Sequence, residues 1–225
     1  SMAERRNFIR TYLERDVPQF GPRIPAETLE RLWTMVAHSQ GGLLNAADLG
    51  RSLSITGKTI NSYLDLLCDL LLLRRLTPYF TNTKRRLVKS PKVYVRDSGL
   101  LHALLGIGDF AKLIGHPVVG SSWEGFVIEN ILAAVPESTR ASFYRTSVGA
   151  EVDLVLELPG HPKPWAIEIK QSSVPKNSRG FHESLKELQP EKAFILYGGE
   201  DQYPVNAEVE AVGLRGLCQL LKAIV

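Results

Sequence analysis

The sequence holds only two cysteines, Cys68 and Cys218, 150 positions apart. Two lone thiols at that separation exclude a disulfide scaffold and a cysteine-rich metal site, and they fit a reducing compartment. Long apolar runs are also missing. A membrane-spanning helix needs about 20 consecutive apolar residues. The greasiest segment, 64–73, is interrupted by Asp65 and Asp69 and reads as a buried helix. No signal peptide is visible, and Ser1-Met2 reads as a leftover of cloning. These absences give the expectation of a cytoplasmic protein with no membrane partner. A complete nucleotide-binding loop is missing too. Gly57-Lys58-Thr59 has the end of one, but the motif asks for a glycine five positions before Gly57, where Ser52 stands. Those residues also fall between two helical patterns, whereas a phosphate-binding loop follows a strand, so no ATP site is expected here.

What remains is a 225-residue chain, 44% hydrophobic and 23% charged, large enough for one big domain or two ordinary ones. Its net charge of +3 is unevenly spread. Residues 1–110 carry 16 Lys and Arg against 10 Asp and Glu, whereas 111–225 carry 11 against 14. Between Arg74 and Arg96 there are eight basic residues and no acid. Such a run suggests a polyanion partner, here DNA. The alternative is a solvated hairpin with no ligand.

Along the chain, 4–20 is an arginine-rich amphipathic segment, broken at Gly21-Pro22. A helix is predicted over 26–38, with Leu29, Leu32, Trp33, Val36 and Ala37 on one stripe. Asn45 is placed to cap a helix over 46–53. A turn at 54–57 then leads to a longer helix running from Lys58 to about Arg75. This is a helix-turn-helix pattern, which can set its second helix in a major groove with Lys58, Thr59 and Asn61 toward the bases. Strands at 76–80 and 91–95 follow, with a polar tip holding Lys84, Arg85 and Arg86. Three helices and a basic hairpin make a winged helix, a unit that contacts either DNA or protein.

Asp97 caps a short helix, and the glycine-rich stretch 106–120 reads as a linker. Ser122 is expected to cap a helix starting at Trp123. Strands are predicted at 142–145, 151–158, 165–170 and 193–197, with a helix over 178–188 and a closing helix over 213–225. That order gives an α/β sheet with helices packed on it.

Two of these strands carry acids in apolar surroundings: Gly149-Ala150-Glu151-Val152-Asp153-Leu154-Val155-Leu156 and Ala166-Ile167-Glu168-Ile169-Lys170. Glu168 and Lys170 are two apart and share one face of a strand. Asp153 from a neighbouring strand would add a second carboxylate. Two carboxylates and a lysine at one sheet edge can hold Mg²⁺ and activate water for phosphodiester hydrolysis. The plain alternative is two amphipathic strands with solvated charges.

The D…E-x-K arrangement resembles the core of the PD-(D/E)XK nuclease superfamily. A longer series of matches points further. It runs from Val93-Tyr94-Val95-Arg96-Asp97-Ser98-Gly99-Leu100-Leu101 through Trp123-Glu124-Gly125-Phe126 and Tyr144-Arg145-Thr146 to the two acidic strands. Together these resemble the C-terminal half of predicted prokaryotic AAA-type ATPases, a domain of unknown function, over nearly the whole chain. The resemblance implies a winged helix joined to a restriction-endonuclease-like α/β domain. Residues 4–20 would be the tail of an ATPase lid, 21–105 the winged helix, 106–120 the linker and 121–225 the nuclease-like domain. It also implies that an N-terminal ATPase module of the same full-length chain binds ATP and is a partner of this part. Carried over by position, Glu124 would be the helix acid, Asp153 and Glu168 the Mg²⁺ ligands and Lys170 the motif lysine, with Glu124 rather than Glu129 turned to the site. Val152 stands where the superfamily usually has proline. Two functions follow as expectations: a Mg²⁺-dependent DNA endonuclease, or an inactive nuclease-like module that regulates the ATPase or binds a partner.

Overall fold

The fold is given by a computed structural model, which describes residues 1–19, 24–80, 87–174 and 178–224. The chain forms two compact units. The first comprises Ser1–Arg75 and Lys92–Gly125, the second Leu76–Pro91 and Phe126–Val225.

In the first unit, helix α1 (Met2–Thr11) opens on a capping box in which Ser1 and Glu4 satisfy each other's backbone donors. A π turn over Tyr12–Asp16 and a 3₁₀ turn over Val17–Gln19 continue it. Helix α2 (Ala26–His38) buries the predicted stripe of Leu29, Leu32, Trp33, Val36 and Ala37. Asn45 caps α3 (Ala46–Leu53), accepting the Asp48 N–H, and Thr56 caps α4 (Gly57–Asp69). Gly50 is required between them, because a Cβ there would lie 2.5 Å from the Ile55 carbonyl oxygen. The expected continuation of α4 to Arg75 is not made. Leu71 adopts a left-handed conformation, φ +59°, and its N–H bonds the Cys68 carbonyl, which closes the helix. Arg74 and Arg75 therefore stand on strand β1 (Leu73–Pro78), beside β2 (Lys92–Val95).

Helix α5 (Ser98–Leu104) is capped by Asp97 as expected. The stretch 106–120 contains a short helix, α6 (Phe110–Ile114), and the start of α7 (Val119–Leu132). Helix α7 thus begins before Ser122, which is buried inside it and hydrogen-bonded through Oγ to His102 Nε2 at 2.8 Å rather than serving as a cap. The core of this unit gathers Leu32, Trp33, Ile60, Leu64, Val93, Val95 and Leu101.

The second unit is α/β. It contains β3 (Arg140–Arg145), β4 (Glu151–Glu157), β5 (Trp165–Ile169), α8 (Arg179–Leu188), β6 (Lys192–Tyr197), β7 (Tyr203–Pro204), β8 (Val209–Gly213) and α9 (Leu214–Lys222). One mixed sheet of eight strands runs β2-β1-β3-β4-β5-β6-β8-β7. Strands β3, β4 and β5 form an antiparallel series, whereas β5, β6 and β8 are parallel, with α8 as the crossover between β5 and β6. The last two strands, β7 and β8, escape a reading by sequence. One is two residues long and ends in proline, and the other is a short apolar run leading directly into α9. Phe181, Leu185 and Leu188 of α8 bury against Val155, Ala166 and Ile195 of the sheet, each worth about 1.5–3 kcal/mol relative to exposure. Among the described residues no helix is long and apolar enough to cross a membrane.

Candidate active site

Strand β5, Trp165-Ala166-Ile167-Glu168-Ile169, is buried at every position. It pairs on one side with β4 and on the other with β6. Four of its residues are what a central strand requires. Glu168 is the exception, a carboxylate at 5% exposure. An acid so buried must be compensated. Lys170 supplies a cation, with Nζ 2.6 Å from Glu168 Oε1. The Lys170 backbone N–H bonds the Leu196 carbonyl at 2.8 Å, carrying the β5–β6 pairing to the residue that bears the ammonium. Ser178, the N-cap of α8, accepts the Phe181 N–H at 3.1 Å and donates its hydroxyl to the same Oε1 at 3.2 Å. Burial pushes the Glu168 carboxyl above its usual range. The Lys170 ammonium and the Ser178 hydroxyl pull it back only in part, and the negative charge of Glu151 adds to the rise.

Asp153 reaches the same strand from β4. There Ser142 pairs with Val155 and Tyr144 with Val152, so Asp153 and Leu154 together oppose the single residue Phe143. This is a bulge, a device that breaks simple alternation and re-aims a side chain. The Asp153 carboxylate accepts the Ile169 N–H at 2.9 Å. That amide is the peptide joining Glu168 to Ile169. Beside Asp153, Glu151 is 3.6 Å from Arg145 of β3. Close packing fixes the neighbouring turn. A Cβ on Gly180, in the first turn of α8, would come within 3.3 Å of the Gly149 carbonyl oxygen.

Glu124 belongs to the first unit. Its Oε1 accepts from Lys92 Nζ at 3.0 Å and from the Tyr94 hydroxyl at 2.5 Å. Both donors are on β2 and both are buried. Gly125 packs so tightly on the Gln40 amide that a Cβ would sit 2.6 Å from it, and Gln40 in turn bonds both backbone groups of Val95. Glu124 and Gly125 of the Trp-Glu-Gly-Phe signature are thus packed against β2 and Gln40.

At the start of α4, Lys58 and Asn61 are exposed. Thr59 is engaged by the cap, its N–H and hydroxyl both meeting Thr56 Oγ1, at 3.2 and 2.8 Å. Lys84, Arg85 and Arg86 lie outside the described residues. Sequence reasoning missed Ser178, Lys92 and Tyr94. Ser178 carried one usable signal, a serine at the start of an amphipathic helix. Its second hydrogen bond depends on how that helix lies on the sheet.

Comparison with known proteins places these residues in company without an assigned activity. Residues 1–111 match a "Domain of unknown function (DUF8612)", and residues 119–217 match a "Domain of unknown function (DUF4143)". Over 212 residues, 94% of this chain, it is 47% identical to the uncharacterized protein Rv2008c of Mycobacterium tuberculosis (strain ATCC 25618 / H37Rv), covering 47% of that protein. The same figures hold for the uncharacterized protein Mb2031c of Mycobacterium bovis (strain ATCC BAA-935 / AF2122/97). The chain therefore spans about half the length of the curated relatives it matches. No solved structure matches it. Over nearly all of its length, then, this chain is similar to uncharacterised mycobacterial proteins and to two domains of unknown function.

Proposed function

We propose that this chain is a DNA-binding, nuclease-like C-terminal part of an AAA-type ATPase, and that its second unit hydrolyses phosphodiester bonds with Mg²⁺. The observation that supports this reading is the buried Glu168 with Lys170 at 2.6 Å and the Asp153 carboxylate on the peptide between them. The donor chemistry fits the ion. Two carboxylates offer hard oxygen ligands, and Mg²⁺ is commonly held by one or two carboxylates, with water and phosphate oxygens completing its shell. Among the described residues no group of three or more His, Cys, Asp or Glu side chains could hold a metal, so the proposed site rests on Asp153 and Glu168 alone. A bound Mg²⁺ would supply charge neutralisation and a more acidic water.

The residues of the chain do the remainder. Lys170 orients the attacking water and stabilises negative charge on the phosphate. Glu168 and Asp153 fix the geometry. Glu124 would be the helix acid of this site by the resemblance, and its Oε1 is held by Lys92 and Tyr94 of β2. Lys84, Arg85 and Arg86 neutralise backbone phosphates, and Lys58, Thr59 and Asn61 face the groove.

A second reading, a catalytically inactive module that regulates or docks the ATPase, is favoured by one observation: both acids already have protein donors, Lys170 and Ser178 for Glu168 and the Ile169 N–H for Asp153. A Mg²⁺/Mn²⁺ nuclease assay on duplex, single-stranded and branched DNA separates the two. The first reading expects cleavage that falls by about 10²–10⁴-fold in Lys170→Ala and is lost in Asp153→Asn while DNA binding persists. Binding without cleavage on every substrate would leave the second. Filter binding across a salt series completes the test. Three tip residues that each neutralise one phosphate contribute about −2.7 to the slope of log K against log salt. A Lys84/Arg85/Arg86→Ala triple variant should lose that share, and an unchanged slope would turn the hairpin into a protein-docking surface.

A further inference from the structure

Among the described residues Glu168 receives two side-chain donors, and both go to one oxygen. Lys170 Nζ lies 2.6 Å from Oε1, and Ser178 Oγ lies 3.2 Å from the same atom. Lys170 is one-third exposed and sits on a flexible four-carbon stem, so it fixes charge better than it fixes direction. Ser178 is different. Its hydroxyl is already oriented, because its oxygen accepts the Phe181 N–H at 3.1 Å as the cap of α8. An oxygen that accepts from the helix turns its own hydrogen outward, and Glu168 is there to take it. Helix α8 is itself locked to the sheet by Phe181 and Leu185. The chain of restraint therefore runs from a packed helix, through a cap, to one oxygen of a buried acid.

We propose that Ser178 is a positioning residue for Glu168. It ties Oε1 to the N-terminus of α8 and so sets the rotamer in which Oε2 is presented as the ligand-bearing oxygen. The role of Oε2 rests on the nuclease reading; the restraint itself does not.

Thermal unfolding without metal tests the restraint. Ser178→Ala removes the cap and the bond to Glu168, whereas Ser178→Ala in a Glu168→Leu background removes the cap alone. Losing the cap should lower Tm by roughly 2–4 °C for a chain of this size. The drop should be larger with Glu168 present, by roughly the same amount again, and Ser178→Thr should restore it in both backgrounds. Equal drops in the two backgrounds would show that Ser178 only caps the helix and would overturn the proposal. A crystal structure of Ser178→Ala in which Glu168 keeps its rotamer would do so as well, and needs no second substitution. Calorimetry with Mn²⁺ then separates this inference from the functional reading. Wild-type protein that binds no Mn²⁺ sinks the nuclease site, while the unfolding cycle still decides the part of Ser178. If Mn²⁺ binds, Ser178→Ala should weaken it about 10-fold, as loss of a group that orients a ligand does, and Ser178→Thr should not. An affinity unchanged in Ser178→Ala would refute the presentation of Oε2.

Discussion

Among the described residues each unit of this protein contains one glutamate–lysine pair with a buried member, and the two pairs are built the opposite way round. In the first unit the lysine is the sealed member: Lys92 is 4% exposed and Glu124 18%, with 3.0 Å between them. In the second the glutamate is sealed: the Glu168 side chain is 6% exposed and that of Lys170 35%, at 2.6 Å. The Lys92 pair also holds a tyrosine hydroxyl on the same carboxylate oxygen. Charge buried on both sides and hydrogen-bonded is a structural joint, because opening it strands a charge in a low-dielectric interior. A buried acid facing an ammonium that still touches water is another matter. It keeps a charged group within reach of a ligand, at a cost that burial makes visible in the raised Glu168 proton affinity. The same two residue types therefore give a lock in one place and a candidate reactive group in the other.

The comparison breaks first on stability. Lys92→Met should cost about 3 kcal/mol, since it leaves Glu124 without its cation, or roughly 6–12 °C in Tm. Lys170→Met should cost about 1 kcal/mol or less, because its ammonium is already partly solvated and Glu168 can take up a proton instead. Calorimetric melts of both variants at neutral pH decide it. Equal losses would mean that the two pairs are the same kind of joint.

The next test is the pH dependence of Glu168. Burial raises its folded-state proton affinity above that of the unfolded chain. The stability it contributes is then fully present below the unfolded carboxylate value, about 4.3, and is lost as pH rises through the raised folded value. Glu168→Gln should remove that loss. Wild type minus Glu168→Gln stability should fall as melts are taken from about pH 4 upward, and a flat difference would contradict a buried, raised carboxyl.

The smallest effect, of opposite sign, belongs to the first unit. His102 has its proton affinity lowered, first by burial and then by the positive charge of Arg5. Its contribution is present above the unfolded histidine value, about 6.5, and is lost as pH falls through the lowered folded value. His102→Gln should therefore flatten the acid side of the stability curve below about pH 6.5. A curve unchanged in that window would place the imidazole in ordinary contact with solvent.

What the residues alone determined is local. The caps at Asn45 and Asp97, the apolar stripe of α2 and the alternation that puts Glu168 and Lys170 on one face all follow from hydrogen bonds or periodicities spanning a few positions. The sequence also marked Asp153 and Glu168 as acids out of place in apolar strands. The end of α4 was not legible, because Leu71 enters the left-handed region where glycine is the usual residue. Nor were β7 and β8, which are too short to show a period and hold their place through pairing with one another and with β6. Only the tertiary structure brought Lys92 to Glu124 and Ser178 to Glu168. Lys92 and Glu124 are 32 positions apart, and Ser178 meets Glu168 across 10. It also decided the two-for-one bulge that re-aims Asp153, which exists only because β3 lies alongside β4. Charge, propensity and period are properties of a segment. Burial and the identity of a partner are properties of what packs against it, and those two made one Glu–Lys pair a lock and left the other open to solvent.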